Sequence, residues 1–243
     1  MKPHFRFFSA VLTVALLNLS LIVFSQPEKE IDPDGPGYAE NCTSIMVGRL
    51  ASTDGSVMTS HTCDGRYRTW LEVVPAMTFA RDTVHAVYWG TMQTEEAWDM
   101  TNVTRKGEIP EVKSTYAYLN TAYPCLNEKQ LAIGETTIYG KRELINQDGL
   151  FLIEELERIA LQRCTTARQA IALIGSLAEQ YGYGDMAECI TIADPKEVWQ
   201  LEIAGSGPGK PSSLWVAQRI PDDHIGVAAN IRSEEHTSEL QSR

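Results

Sequence analysis

A cysteine exposed as the first residue of a mature chain carries two chemical tools. It has a thiol nucleophile and a free α-amine of pKa about 7.7–8.0, which can act as general base for its own side chain. Cys42 is placed for that arrangement, in the run Tyr38-Ala39-Glu40-Asn41-Cys42-Thr43-Ser44-Ile45-Met46-Val47-Gly48-Arg49. Before it lies a segment with almost nothing to bury, and after it comes a strand-like run. Taken alone, a small apolar cysteine opening a buried strand accounts for the same residue. The segments on either side decide how much chemistry Cys42 is expected to carry.

Residues 1–25 read as a secretory signal. Lys2, His4 and Arg6 make a basic opening, and Phe7 to Phe24 is apolar apart from Ser9, Thr13, Asn18 and Ser20. The run is short for a membrane span of roughly 20 residues, so no stable membrane anchor is expected and the protein is placed in the periplasm or outside the cell. Residues 26–41 hold Pro27, Pro33 and Pro36, two glycines and an excess of acid. That composition suits an unpacked pro-segment ending at Cys42.

Residues 232–243 break off abruptly from the strand-like Ile225–Ile231. The peptide Arg232-Ser233-Glu234-Glu235-His236-Thr237-Ser238-Glu239-Leu240-Gln241-Ser242 matches one reading frame of a common sequencing adapter. It is expected to be an artefact of the gene sequence, so His236 is excluded from any site. The functional segment is then 42–231, long enough for one sizeable core or part of a larger one. The formal net charge of the chain is −11. An acidic surface argues against nucleic acid or an anionic membrane as the main partner. Five cysteines occur. With Cys42 as nucleophile, Cys63, Cys125, Cys164 and Cys189 remain, an even number that allows three pairings in an exported chain. No Cys or His spacing suggests zinc, so neither a metal nor a cofactor is expected.

Several elements must position Cys42. Thr43–Leu50 reads as a strand, Ser52-Thr53-Asp54-Gly55-Ser56 as a turn, and Val57–His61 as the returning strand, which brings residues from His61 to Asp64 back toward Cys42. Strand-like runs follow at Ser114–Leu119 and Gln130–Thr137. Leu152, Ile153, Leu156, Ile159 and Ala160 recur at helical spacing, and Glu154 stands four residues before Arg158 as a potential ion pair. A second helix is expected with Thr166 as N-cap and Gly182 as stop, its apolar stripe serving the core. Strand signals resume at Ala187–Ala193, Glu197–Ile203, Trp215–Ile220 and Ile225–Ile231. Strands, two helices and strands again predict an α+β fold. Gly205-Ser206-Gly207-Pro208-Gly209 has no helix after it and reads as a surface loop.

Asn41-Cys42-Thr43-Ser44-Ile45-Met46-Val47-Gly48-Arg49, Asp54-Gly55-Ser56, His61-Thr62-Cys63-Asp64-Gly65-Arg66, Leu126–Ile133 and Ile192-Ala193-Asp194-Pro195-Lys196-Glu197-Val198-Trp199 together resemble the dipeptidase A/secernin family of cysteine dipeptidases. The resemblance runs from Asn41 to Ile231 and rests on the order and spacing of these pieces. It implies an N-terminal-nucleophile hydrolase with a four-layer αββα sandwich, related to choloylglycine hydrolases and penicillin V acylases. Members of the family are much longer than this chain, so the sandwich is expected to be incomplete here.

The resemblance also implies roles. Cys42 would attack a dipeptide carbonyl and pass through a thioester. Asp64 matches the acid that orients the nucleophile's amine, and Asn127 matches an oxyanion donor, a part worth roughly 3–4 kcal/mol in transition-state stabilisation. Two departures set the chain apart from the acylases. His61-Thr62-Cys63-Asp64 stands where they carry Arg-Asn-x-Asp, leaving His61 as a candidate source of charge or a hydrogen bond near the thiol. Ala193-Asp194-Pro195 offers no amide where they carry Asn before Pro. Dipeptide hydrolysis is therefore the leading expectation. An N-acyl amide hydrolase is second and an inactive truncated fragment third, with a non-enzymatic binding protein behind all of them.

Overall fold

The computed structural model describes residues 42–63, 67–68, 70–94, 99–138, 140–209 and 211–230. The signal, pro-segment and tail readings, and Asp64, lie outside these residues. In chain order the elements begin with strands β1 (Thr43–Val47), β2 (Met58–Thr62), β3 (Glu72–Val74), β4 (Met77–Thr78), β5 (Val84–Trp89), β6 (Thr104–Pro110), β7 (Ser114–Thr115), β8 (Tyr118–Asn120), β9 (Leu126–Asn127) and β10 (Ala132–Thr137). Helices α1 (Ile153–Arg163) and α2 (Ala167–Tyr181) follow, and then β11 (Ala187–Ala193), β12 (Val198–Gly205), β13 (Ser213–Arg219) and β14 (Ile225–Ala229).

A three-stranded antiparallel sheet in the order β14-β1-β2 stacks on a seven-stranded sheet in the order β13-β12-β11-β10-β9-β8-β3. Inward residues alternate along β1: Ser44 and Met46 are buried while Thr43 and Ile45 are exposed. Between the sheets, Ser44 Oγ and Thr136 Oγ1 are 2.5 Å apart, and Thr59 Oγ1 and Thr191 Oγ1 are 2.7 Å apart. Met46, Cys189, Ala193, Val198 and Ala228 form an apolar cluster in the same layer. The larger core lies on the other face of the large sheet, where α1 and α2 pack. The arrangement is α+β with two stacked antiparallel sheets and helices on one outer face, in agreement with the N-terminal-nucleophile reading. The outer face of the small sheet carries no helix among the described residues and exposes Ile45, Met58, Ile225 and Val227.

Helix α2 follows its sequence signals closely. Thr166 accepts from the N–H of Gln169, and Gly182, at φ 87°, ends the helix in a conformation that side chains resist. Asp194 adds an acceptor from another strand. Its Oδ2 receives the N–H of Ala167 at 2.9 Å while Oδ1 receives those of Lys196 and Glu197. The Asp194-Pro195 turn is thus a helix-terminus anchor, with negative charge at the positive end of the α2 dipole.

Helix α1 departs from expectation. Its apolar stripe is buried, but so are Glu154, Glu155, Glu157 and Arg158 on the other positions. The expected Glu154–Arg158 pair is replaced by Glu155–Arg158, three residues apart at 2.9 Å. The reason is a second cover. His85 on β5 holds Glu155 at 2.7 Å and Glu111 at 3.1 Å, and Arg163 holds Glu111 at 2.8 Å. This network fastens the β5/β6 hairpin over the helix face that a two-layer packing would leave wet. None of the five cysteines, all among the described residues, is in a disulfide.

Candidate active site

The site is built at one end of the small sheet, where β1 begins. Backbone N–H groups alternate between neighbours along a strand. The N–H of Thr43 points to β2 and donates to Thr62 Oγ1 at 3.1 Å. The N–H of Cys42 points the other way, to β14, and donates to Asn230 Oδ1 at 2.7 Å. The other end of the Asn230 amide donates to the Thr137 carbonyl of β10 at 2.7 Å. Asn230 therefore ties the Cys42 nitrogen to the large sheet. Cys42 itself is 2% exposed, a thiol held in the protein rather than on it.

The β1/β2 register pairs Thr43 with Thr62 and Ser44 with His61. The parity of the strands then puts His61 on the inward face that Cys42 also uses. Diagonal neighbours of this kind lie roughly 7–8 Å apart. The imidazole packs on Gly134, where an added Cβ would lie 2.6 Å from Nδ1, so only glycine leaves room for the ring. Burial pushes the His61 pKa below its usual value. Desolvation disfavours the imidazolium there, which works against His61 as a source of positive charge.

Asn127 is bonded to the backbone on both sides of its amide. Its Nδ2 donates to the carbonyls of Leu161 and Cys164 at 2.7 and 2.9 Å, and its Oδ1 accepts the N–H groups of Lys129 and Leu131, both at 3.0 Å. Both amide protons are spent on closing the last turn of α1, and none remains for an oxyanion. The residue that the sequence reading missed is Asn230. It directly follows β14, inside a run whose pattern signals only a strand. The β1/β14 pairing of Thr43 with Ala229 puts it opposite Cys42. Only that non-local pairing identifies it, and no short motif contains it.

A cavity of 520 Å³ is lined by residues of β3, β5 and α1 together with Arg68 and Trp70. Arg68, Arg158, Glu72 and Asp99 supply both signs of charge to its wall, and Trp70 and Met77 line it with apolar surface. Arg68 bonds the carbonyl of Thr91 and the side chain of Asn120 at 2.9 Å each and stacks on Trp70 at 4.3 Å. Desolvation first, and the neighbouring Arg158 second, push its pKa down to about 10, so it stays cationic at neutral pH. A second cavity, of 440 Å³, lies around Met58, Ala132 and Asp194. Met58 and Ala132 begin β2 and β10 and Asp194 follows β11, whereas the Cys42 site lies where β2 and β10 finish.

The family model for peptidase family C69 matches residues 41–240. The chain belongs to peptidase family C69. The match begins one residue before Cys42. The chain is 32% identical over 198 residues to a probable dipeptidase of Latilactobacillus sakei, covering 78% of this chain and 39% of that protein. It is 28% identical over 215 residues to a probable dipeptidase of Salmonella dublin, covering 81% and 44% respectively. Dipeptidase A of Lactobacillus helveticus is 24% identical over 196 residues, covering 78% and 40%. The chain thus spans about two-fifths of the length of the curated relatives it matches.

Proposed function

We propose that the protein is an exported cysteine dipeptidase in which Cys42, freed at its amine, hydrolyses the peptide bond of dipeptides. The observation that carries this reading is the pairing of the Cys42 nitrogen with Asn230 at the start of β1. After cleavage of the Asn41–Cys42 bond, that nitrogen becomes the α-amine. Asn230 Oδ1 then holds it beside the thiol that it must deprotonate. The thiolate attacks the carbonyl carbon, the leaving amine takes a proton, and water hydrolyses the thioester to regenerate Cys42. Asp64 directly follows Cys63, the register neighbour of Cys42, and is proposed as a second orienting group for the amine. His61 contributes packing against Gly134.

The names of the C69 relatives, dipeptidases of Latilactobacillus and Lactobacillus among them, support peptide bonds as the target.

The test is a hydrolysis panel of dipeptides and N-acyl amino acids, run on the full-length gene product with and without Cys42→Ala. Dipeptide turnover that falls at least about 10³-fold in the variant is expected for a lost nucleophile. Turnover of acyl amides without dipeptide cleavage favours the acylase reading. Full activity in a mature product still beginning near residue 26 refutes the free-amine mechanism.

A further inference from the structure

Cys63 has no part in the chemistry above, yet the strand register places it against Cys42. Continuing the β1/β2 pairing by one residue from Thr43 and Thr62 sets Cys42 opposite Cys63. The hydrogen-bonding phase is fixed by the two N–H directions already described. Thr43 turns its N–H to β2 and Cys42 turns its own to Asn230. The Thr43–Thr62 pair thus occupies a hydrogen-bonding position and the cysteines occupy the alternate one. At such positions the Cα atoms lie about 4.5 Å apart and the side chains are closest. Disulfides bridge Cα separations of about 4.4–6.8 Å. Side-chain parity agrees, since Ser44 and His61, the pair two residues further in, face each other on the inward side.

We propose that Cys42 and Cys63 form a thiol-oxidation site, at which a hydroperoxide joins them in a reversible cross-strand disulfide. The balance is simple. One sulfur, as thiolate, attacks the peroxide oxygen; the O–O bond breaks, leaving a sulfenic acid and an alcohol or water. The second thiol attacks that sulfur, the S–S bond forms and water departs. The two thiols lose two electrons and two protons, and the peroxide is reduced. Cys63 is half-buried, which gives a small oxidant an approach that Cys42 alone lacks. The three remaining cysteines are poor competitors. Burial pushes Cys125 upward, Cys164 up to about 11 and Cys189 up to about 12, which leaves little of the reactive thiolate. Disulfide formation rests on the register alone. Its consequence, loss of the nucleophile, rests on the proposed function.

The experiment treats the reduced full chain with hydrogen peroxide, blocks remaining thiols with iodoacetamide and maps the peptides. Trypsin cuts after Arg49, so the Cys42 and Cys63 peptides stay together only if a disulfide holds them. The expected result is that linked pair, lighter by two hydrogens and released by dithiothreitol, with dipeptide hydrolysis lost and restored in step. In Cys63→Ser, Cys42 is expected to pass to sulfinic acid, which dithiothreitol does not reverse. Alkylation of both thiols after peroxide, or linkage of Cys42 to Cys125, Cys164 or Cys189, overturns the proposal. The wild-type map carries the test even if the variant fails to fold. A chain that forms the disulfide but cleaves no dipeptide before treatment sinks the proposed function and leaves the oxidation site standing.

Discussion

Asn127 and Asn230 use the same side chain at two places, and their surroundings give it opposite prospects. Asn127 is buried at the β9 turn, where its amide makes four hydrogen bonds to backbone groups between Lys129 and Cys164. Asn230 closes β14 with two bonds, one to the Cys42 nitrogen and one to Thr137. A saturated amide is a structural bracket, since each of its groups is committed before any substrate arrives. An amide bonded to the Cys42 nitrogen can act on the proposed chemistry through that nitrogen. The lesson is that a polar residue's prospects follow from what its groups are already bonded to, more than from the motif that contains it.

The contrast breaks most sharply in the kinetics. In the proposed mechanism, Asn230→Ala leaves the α-amine of Cys42 without its acceptor. A loss of about 10²-fold in kcat is expected, the scale of a misplaced catalytic group, with KM and the unfolding midpoint little changed. Asn230→Asp distinguishes positioning from packing. It keeps an acceptor but adds a negative charge, which favours the ammonium and raises the amine pKa. The acid limb of the kcat/KM profile is then expected to move to higher pH. An unmoved limb in a folded variant removes Asn230 from the mechanism.

Asn127→Ala should show the reverse pattern. Leaving two carbonyls and two N–H groups without their partner costs about 2–4 kcal/mol, because unmet buried groups pay their desolvation in full. Urea unfolding measures that loss, and kcat of the folded fraction should hold. A large kcat effect at unchanged stability would restore Asn127 as an oxyanion donor.

Much of this arrangement was legible in the sequence. The β1/β2 hairpin, both helices and the last four strands follow their periodicity and turn residues, because each is decided locally or by one buried face. The region from Trp70 to Val112 was not legible. Its strands are as short as Met77–Thr78, and the β5/β6 hairpin shifts register between Val87 and Tyr88. Short, irregular strands leave little alternation to detect. Asn230 and the burial of Glu154 escaped for a shared reason. Both depend on segments far away in sequence, and neither a spacing rule nor a helical stripe contains that partner. The Asn127 motif leaves two roles open, because the same Asn that could donate to an oxyanion also makes a good turn residue.

A third class of buried polar group extends the comparison: those with no bond to spare or to share. Both carboxyl oxygens of Glu154 and of Glu157 lack a hydrogen-bond partner among the described residues, as does the Tyr183 hydroxyl. Glu135 and Glu188 lie in the same layer and share a hydrogen bond. From α1 the group faces Glu154 and Glu157, from β10 Glu135, from β11 Glu188, with Asp185 just before β11 adding further negative charge. Desolvation pushes Glu154 up to about 8, and burial with mutual repulsion drives Glu157 and Glu188 well above the usual range. A raised folded-state pKa means that the native state holds protons which the unfolded state releases. The cluster's stabilising contribution is therefore complete below the ordinary glutamate value and is lost as pH rises toward 8 and beyond. The urea midpoint should fall between about pH 5 and about pH 8.5, with Glu157→Gln flattening the slope by removing one such proton. A midpoint that instead rises over that window would mean the carboxyls are ionised and paired in the native state. The third class would then merge with the first, in which every buried polar group has its partner.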